Sequence, residues 1–225
     1  MKIGIISDIH ANIYGLKAVL KKMKRADVIL CAGDIVGYYT FANEAIEEIK
    51  KNNIKCVLGN QDAYLLGAIT MSKNPLIKAP LNFTRKIISK NNLEYLRKIK
   101  NGSAKIEIDG LKIMICHGSP WDKFEGYIYP DFNNFDKFKK IKSDLVILGH
   151  THRPMIKKIG NLTIINPGSC GQPRDYNNKA SCAIFDTKSK KAKIIRVKYD
   201  ISKVLKALEK QNFDKKLGAM LKTGK

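Results

Sequence analysis

Apolar residues recur along this chain with two alternating periods. Runs of four or five β-branched and leucine residues read as buried strands over 2–6, 27–31 and 54–58. Between them the apolar spacing widens to three and four. Asn12 is placed to cap a helix with Ile13, Leu16, Val19, Leu20 and Met23 inward, and Asn43 to cap another with Ile46 and Ile49 inward. Strand–helix alternation of this kind predicts an α/β fold with a parallel sheet and right-handed crossovers. Residues 62–100 read as helical, with Pro75 and Pro80 as breaks. Strands at 104–109 and 111–116 are joined through Asp109-Gly110, a tight-hairpin dipeptide. A helix over 133–142 leads to a strand at 144–148. Short strands then follow at 154–159, 162–166, 180–186 and 192–198, before a helix near 201–211. The basic residues 212–225 read as a loose tail.

Length and composition narrow the picture. At 225 residues and 44% hydrophobic content the chain can bury one substantial core, so a single domain over 1–225 is expected. No apolar run approaches the ~18 residues that would span a membrane. The opening MKIGIISDIH is too short in apolar residues for a signal peptide and reads directly as a strand. The five cysteines are odd in number, widely spaced and form no C-x-x-C pair, which suggests neither a disulfide framework nor a thiolate zinc site. A reducing, cytoplasmic location is the expectation. The net charge of +22 favours an anionic substrate. The lysines are dispersed and no aromatics interleave with the runs at 21–25, 137–140 and 188–193, so a nucleic-acid partner is not favoured.

Chemistry enters where the strands end. Five polar blocks, Asp8-Ile9-His10, Gly33-Asp34, Gly59-Asn60-Gln61-Asp62, His117-Gly118 and Gly149-His150-Thr151-His152, each follow the C-terminal end of an expected strand. Such ends share one edge of a parallel sheet, where ligands bind. Asp, His and a carboxamide are ligands for borderline divalent ions. The i, i+2 spacing of Asp8 with His10 and of His150 with His152 points both side chains one way if the segments are extended. Singly, Gly-Asp and Gly-Asn are ordinary turn dipeptides. However, the chain has four histidines, and all four fall in these blocks.

The blocks resemble the signature of the calcineurin-like metallophosphoesterase superfamily, D-x-H, G-D, G-N-x-[DE], H and G-H-x-H. The wider similarity includes SDIHANIYGLKAVL, LGNQDAYL, CHGSPWD, LGHTHRP and INPGSCGQPRD, and it resembles the small prokaryotic phosphodiesterase-like branch. The resemblance implies a four-layer α/β/β/α sandwich. It implies a first metal on Asp8, His10, Asp34 and His152, with Asp34 bridging to a second on Asn60, His117 and His150. It further implies two divalent ions, Mn²⁺ first, with Ni²⁺, Fe²⁺, Co²⁺ or Zn²⁺ as alternatives, and a metal-bridging hydroxide attacking phosphorus. With only two carboxylates among the ligands, such a centre stays net positive and attracts a phosphate ester, a nucleotide derivative included.

One departure from the pattern bears on the reaction. Members that cleave monoesters efficiently often carry His after Gly-Asn, where this chain has Gln61. A carboxamide hydrogen-bonds phosphate oxygens but does not supply protons near neutral pH. Asp62 is the nearest ionisable alternative. The expected catalytic set is therefore Asp34, Asn60, Gln61, Asp62 and His117, and a phosphodiesterase is favoured over a monoesterase. Arg174 is the candidate for binding phosphate, against an ion pair with Asp175. Asn12 is a helix cap or a substrate contact. Tyr38, Trp121 and Tyr127 are candidate pocket walls, with Trp121 ahead. A non-catalytic metal-binding scaffold of the same fold, or a nuclease, are the alternative functions.

Overall fold

The computed structural model describes residues 1–225. The chain runs β1 (Lys2–Ile6), α1 (Ile13–Lys22), β2 (Val28–Cys31), α2 (Ala42–Lys51), β3 (Lys55–Cys56), α3 (Asn60–Leu66), α4 (Pro75–Ile87) and α5 (Lys90–Arg97). The hairpin β4 (Ser103–Ile108) and β5 (Leu111–Cys116) follows, then a 3₁₀ helix (Phe135–Lys140), β6 (Leu145–Ile147), β7 (Pro154–Ile159) and β8 (Leu162–Pro167). The chain closes with β9 (Ala180–Asp186), β10 (Lys191–Val197), α6 (Ser202–Lys210) and α7 (Lys215–Thr223).

Two five-stranded sheets form, ordered β10-β9-β1-β2-β3 and β4-β5-β6-β8-β7. Both are mixed. β1 pairs parallel with β2 and antiparallel with β9, while β6 pairs parallel with β5 and β8. Period-two alternation sorts the side chains. Ile3 and Ile5 of β1 meet Ile113, Ile115, Leu145, Ile147 and Ile165 between the sheets. Ile6 and Cys31 instead join Leu16, Val19, Ile46, Ile49, Val204 and Leu208 beneath the helices. On the second sheet, Val146, Leu148 and Ile164 turn outward to Ile128 and Phe138. The result is the expected four-layer sandwich, with the layer over the second sheet formed by loop and the 3₁₀ helix.

Several local expectations change. Asn43 lies inside α2, whose N-cap is Phe41. Its amide instead donates to the Ile87 carbonyl and accepts from the Ser89 N–H, tying α2 to the α4–α5 junction. Pro75 starts α4, but Pro80 sits within it as the sixth residue, where burial of Pro80, Leu81 and Thr84 outweighs one lost intrahelical N–H bond. The segment expected as a helix over 133–142 is 3₁₀. The strand expected over 54–58 shortens to two residues: the Val57 N–H still donates to Cys31 O of β2, but Val57 then bridges Lys100 and the Leu58 N–H donates to Lys100 O. The C-terminal segment is no loose tail. Asp214 caps α7, whose Leu217 and Leu221 are buried in the helical core.

Candidate metal centre

The polar blocks follow β1, β2 and β3 of one sheet and β5 and β6 of the other. They therefore converge from two sheets rather than from the edge of one. The extended geometry expected for the Asp-x-His and His-x-His pairs is also absent. Asp8, His10, Asp34, His150 and His152 all have positive φ, between 51° and 66°. Non-glycine residues in this region are strained by about 1–2 kcal/mol each. Surrounding bonds hold them there. Asp8 N–H donates to Gly33 O, His10 N–H to Asp34 O and Ala11 N–H to Ile35 O, continuing the β1–β2 pairing past the strand ends. Gly33 is itself at φ +96°, and a Cβ on it would sit 2.6 Å from the Gly59 nitrogen. The second and third turns can approach only because no side chain intervenes.

All seven candidate ligands are buried or nearly so. Ligand atoms of Asp8, His10 and His152 form one compact group, and those of Asp8, Asp34 and His117 a second. Asp34 Oδ2 stands 3.7 Å from His10 Nε2 and 3.5 Å from His117 Nε2, so it also faces both groups. Asp8 is fixed by the His150 N–H, at 3.2 and 3.1 Å from its two oxygens.

The imidazole hydrogen bonds test whether a cation fits. His10 Nδ1 faces Val36 O at 3.3 Å, His117 Nδ1 faces Ala32 O at 2.8 Å, and His152 Nδ1 faces Gln172 O at 2.5 Å. A carbonyl only accepts, so each Nδ1 carries the hydrogen and each Nε2 presents a bare lone pair. Yet His10 Nε2 lies 3.0 Å from His152 Nε2, and His117 Nε2 lies 3.0 Å from Asn60 Oδ1. Two facing acceptors repel. Ligands at right angles, each about 2.1 Å from a shared ion, stand about 3.0 Å apart, so the residues present fit a divalent cation. His150 Nε2 is buried with no protein partner, which makes it a further available donor atom.

The electrostatics agree with that fit. Burial pushes Asp8 up to about 7 and holds Asp34 well above the usual carboxylate range, where Asp62 adds to the effect. Burial likewise holds His10 and His152 well below the usual imidazole range. His150 falls to about 2 through burial, with His117 and Arg174 adding to it. A bound dication reverses the carboxylate penalty while keeping the imidazoles neutral.

A narrow cleft opens over these atoms, lined by His10, Asp34, Asn60, His150 and His152 together with Gln61, Tyr38, Tyr127, Ile77 and Arg174. Arg174 lines this cleft. Its Nη2 donates to Tyr38 Oη at 2.9 Å and to Gln172 Oε1 at 2.8 Å, while Nε has no partner. The alternative ion pair falls away, because Asp175 pairs with Arg196. Gln61 lines the cleft with a buried, unpartnered Oε1. Tyr38 and Tyr127 line it as well.

Three candidates lie elsewhere. Asp62 is fully buried and accepts from the N–H groups of Gly59, Ile35 and Val36 at 2.9, 3.1 and 2.9 Å, so it braces two loops and faces no substrate. Asn12 caps α1 through the Gly15 N–H and donates to Gly171 O and Tyr199 Oη. Trp121, 52% exposed, packs edge-on against Phe138 outside the cleft. Unforeseen contributors are Ile77, whose helix is distant in sequence, and the carbonyls of Ala32, Val36 and Gln172. Backbone oxygens leave no residue-type signal to read. The support under the second histidine pair was partly visible in INPGSCGQ. Asn166 donates to Gly149 O and Thr151 Oγ1, and Ser169 Oγ donates to Asp8 O.

Comparison with known proteins places this geometry. Residues 1–190 match the calcineurin-like phosphoesterase superfamily domain. The chain is 36% identical to "uncharacterized protein MJ0912" of Methanocaldococcus jannaschii, over 99% of this chain and 98% of that one. It is 26% identical to "phosphodiesterase MJ0936" of the same organism, over 76% and 84%. A crystal structure of a metallophosphoesterase from Sphaerobacter thermophilus superposes with a TM-score of 0.86 at 30% identity, covering 100% of this chain and 99% of that one. With the domain match spanning most of its length and this fold around a buried Asp/His cluster, the chain belongs to the calcineurin-like phosphoesterase superfamily.

Proposed function

We propose that this chain is a dinuclear, metal-dependent phosphodiesterase of small phosphate esters, with Mn²⁺ as the preferred ion, working in the cytoplasm. The observation that carries the reading is the pair of acceptor–acceptor contacts at 3.0 Å, joined through Asp8 and Asp34 and opening onto Arg174. Asp8, His10, Asp34 and His152 would hold one ion, and Asp34, Asn60, His117 and His150 the other. When bound, the two ions supply an activated water at neutral pH and a positive field for phosphate oxygens. Arg174 binds a non-bridging phosphate oxygen through Nη1, while Tyr38 and Gln172 take both hydrogens of Nη2 and hold the guanidinium in place. Asp62 keeps the Asp34 and Asn60 turns in register. Gln61 orients the ester by hydrogen bonding and donates no proton.

Diesters are favoured for two reasons. The cleft includes Ile77 and Tyr127, apolar surface that suits a second ester arm better than a doubly charged phosphate end. Without a histidine at position 61, turnover depends on leaving groups that depart unprotonated. A relative named as a phosphodiesterase is in keeping with this. The test is hydrolysis of bis-p-nitrophenyl and p-nitrophenyl phosphate by metal-stripped protein reloaded with Mn²⁺ or Ni²⁺. Faster cleavage of the diester is expected. Stoichiometric metal uptake with no hydrolysis of either would overturn the reading in favour of a binding scaffold.

A further inference from the structure

Arg174 reaches the cleft from the connection between β8 and β9, and the far end of that connection is held by α7. Before the arginine, Gln172 is fully buried and its N–H donates to the Ser169 hydroxyl at 2.6 Å. After it the chain turns at Tyr176, whose φ of 60° lies in the left-handed region that a side chain disfavours. Burial does not hold Tyr176 there, because it is 75% exposed. Its N–H instead donates to the Gly224 carbonyl at 2.7 Å. Asn178 Nδ2 donates to the Lys222 carbonyl at 3.0 Å, and the Lys225 ammonium lies 5.4 Å from the Tyr176 ring centroid. The last carbonyls of a helix have no intrahelical donor, so the helix end and the connection satisfy each other. Gly224 is itself left-handed, at φ +67°, and a Cβ on it would stand 2.5 Å from the Asn177 nitrogen. Leu217 and Leu221 anchor α7 in the helical core.

We propose that the C-terminal turn of α7 is a positioning element for substrate phosphate, because it holds Tyr176 in the conformation that aims Arg174 into the cleft. The inference rests on the reading of Arg174 as the phosphate-binding group. Tyr38 and Gln172 fix the guanidinium, but the Arg174 N–H meets His152 O only at 3.4 Å, a long bond. Beyond the arginine, Asp175 pairs with Arg196 of β10 and Tyr176 bonds Gly224, so the backbone on that side is placed from β10 and α7. Released from Gly224, Tyr176 would relax to negative φ and redirect the chain two residues from Arg174. A left-handed non-glycine residue is disfavoured by about tenfold against its relaxed form, and phosphate affinity falls with the population that keeps the arginine in place. α7 lies beyond residues 1–190, which match the family domain, so the device belongs to this chain's own C-terminal segment.

The test measures binding of inorganic phosphate to the full-length, Mn²⁺-loaded protein by isothermal titration calorimetry. Gly224→Val drives a side chain against Asn177 and breaks the Tyr176 bond, so binding should weaken by about tenfold with metal content unchanged. Asn178→Ala removes the second tie without altering the helix and should weaken binding by about threefold. In an Arg174→Ala background neither substitution should weaken it further, an outcome that general loosening of the protein would not produce. Unchanged affinity in both variants, equal losses with and without Arg174, no effect of Arg174→Ala alone, or no phosphate binding by wild type overturns the proposal. Hydrolysis of bis-p-nitrophenyl phosphate by the same preparations separates the two readings. The expected binding pattern in protein that hydrolyses no diester would remove the phosphodiesterase function and leave the positioning element standing.

Discussion

Asp8→Asn should make the metal-free protein more stable in mild alkali and less stable in acid. Asp8 is fully buried, and burial pushes its carboxyl from an ordinary 3.8 up to about 7. For a folded-state value raised in this way, the stabilising contribution is complete below the unfolded value. It is lost as pH rises from about 4 to about 7, where the unfolded chain binds fewer protons than the folded one. Three units at 1.36 kcal/mol each put the penalty at about 4 kcal/mol by pH 8. Asparagine removes the ionisation, but its buried amide lacks the partners it needs and gives back about 1–3 kcal/mol. The net gain is about 2 kcal/mol, or ~5 °C in melting temperature for a chain of this length. Scanning calorimetry in EDTA should therefore show the variant melting above wild type near pH 8 and below it near pH 4.5. Adding Mn²⁺ at about a hundredfold excess over its Kd should stabilise wild type by about 2.7 kcal/mol and the variant far less. A variant that melts below wild type by the same margin at both pH values would refute the claim that Asp8 ionisation strains the metal-free site.

Other outcomes follow from single contacts. Gln61→His should raise kcat on esters with poor leaving groups by about 10²-fold while changing bis-aryl hydrolysis little, as general acid catalysis requires; loss of activity on both would assign Gln61 a role of its own. Arg174→Lys replaces a guanidinium held by Tyr38 and Gln172 with an ammonium that cannot make all of these contacts and should raise KM by about tenfold, with metal content by atomic absorption unchanged. Asp62→Ala strands three buried backbone N–H groups, so denaturant titration should show a loss of at least about 3 kcal/mol, with weakened metal binding because the Asp34 and Asn60 turns lose their brace. For metal uptake against pH, the half-point should lie near the carboxylate value of about 7 set by Asp8, because His150 stays neutral down to about 2.

The stability of the centre and its chemistry come from different scales of structure. Residue identity decided the donor set. Aspartates and histidines placed at strand ends are visible in one dimension, because each strand advertises itself through its own periodicity and each turn through its glycine. The same local signals marked β1, β2, the β4–β5 hairpin and α1, whose Asn12 cap was legible because a cap acts within one helical turn. Local signals misjudged Asn43 and Pro80, whose environments are set by packing against α5 and the helical core rather than by neighbours in sequence.

Tertiary structure alone decided how the donors meet. Two sheets rather than one deliver them. Their backbones are held in left-handed conformations by hydrogen bonds from strands far away in sequence, and carbonyls of Ala32, Val36 and Gln172 choose which imidazole nitrogen faces inward. The same long-range packing set Asp62 apart from the cleft and Trp121 outside it, and brought Tyr127 beside His150. The amino-acid sequence by itself determined which atoms could bind a cation, since that is a property of each side chain. Their separation, protonation and access to substrate are properties of pairs, and pairs distant along the chain exist only once it has folded.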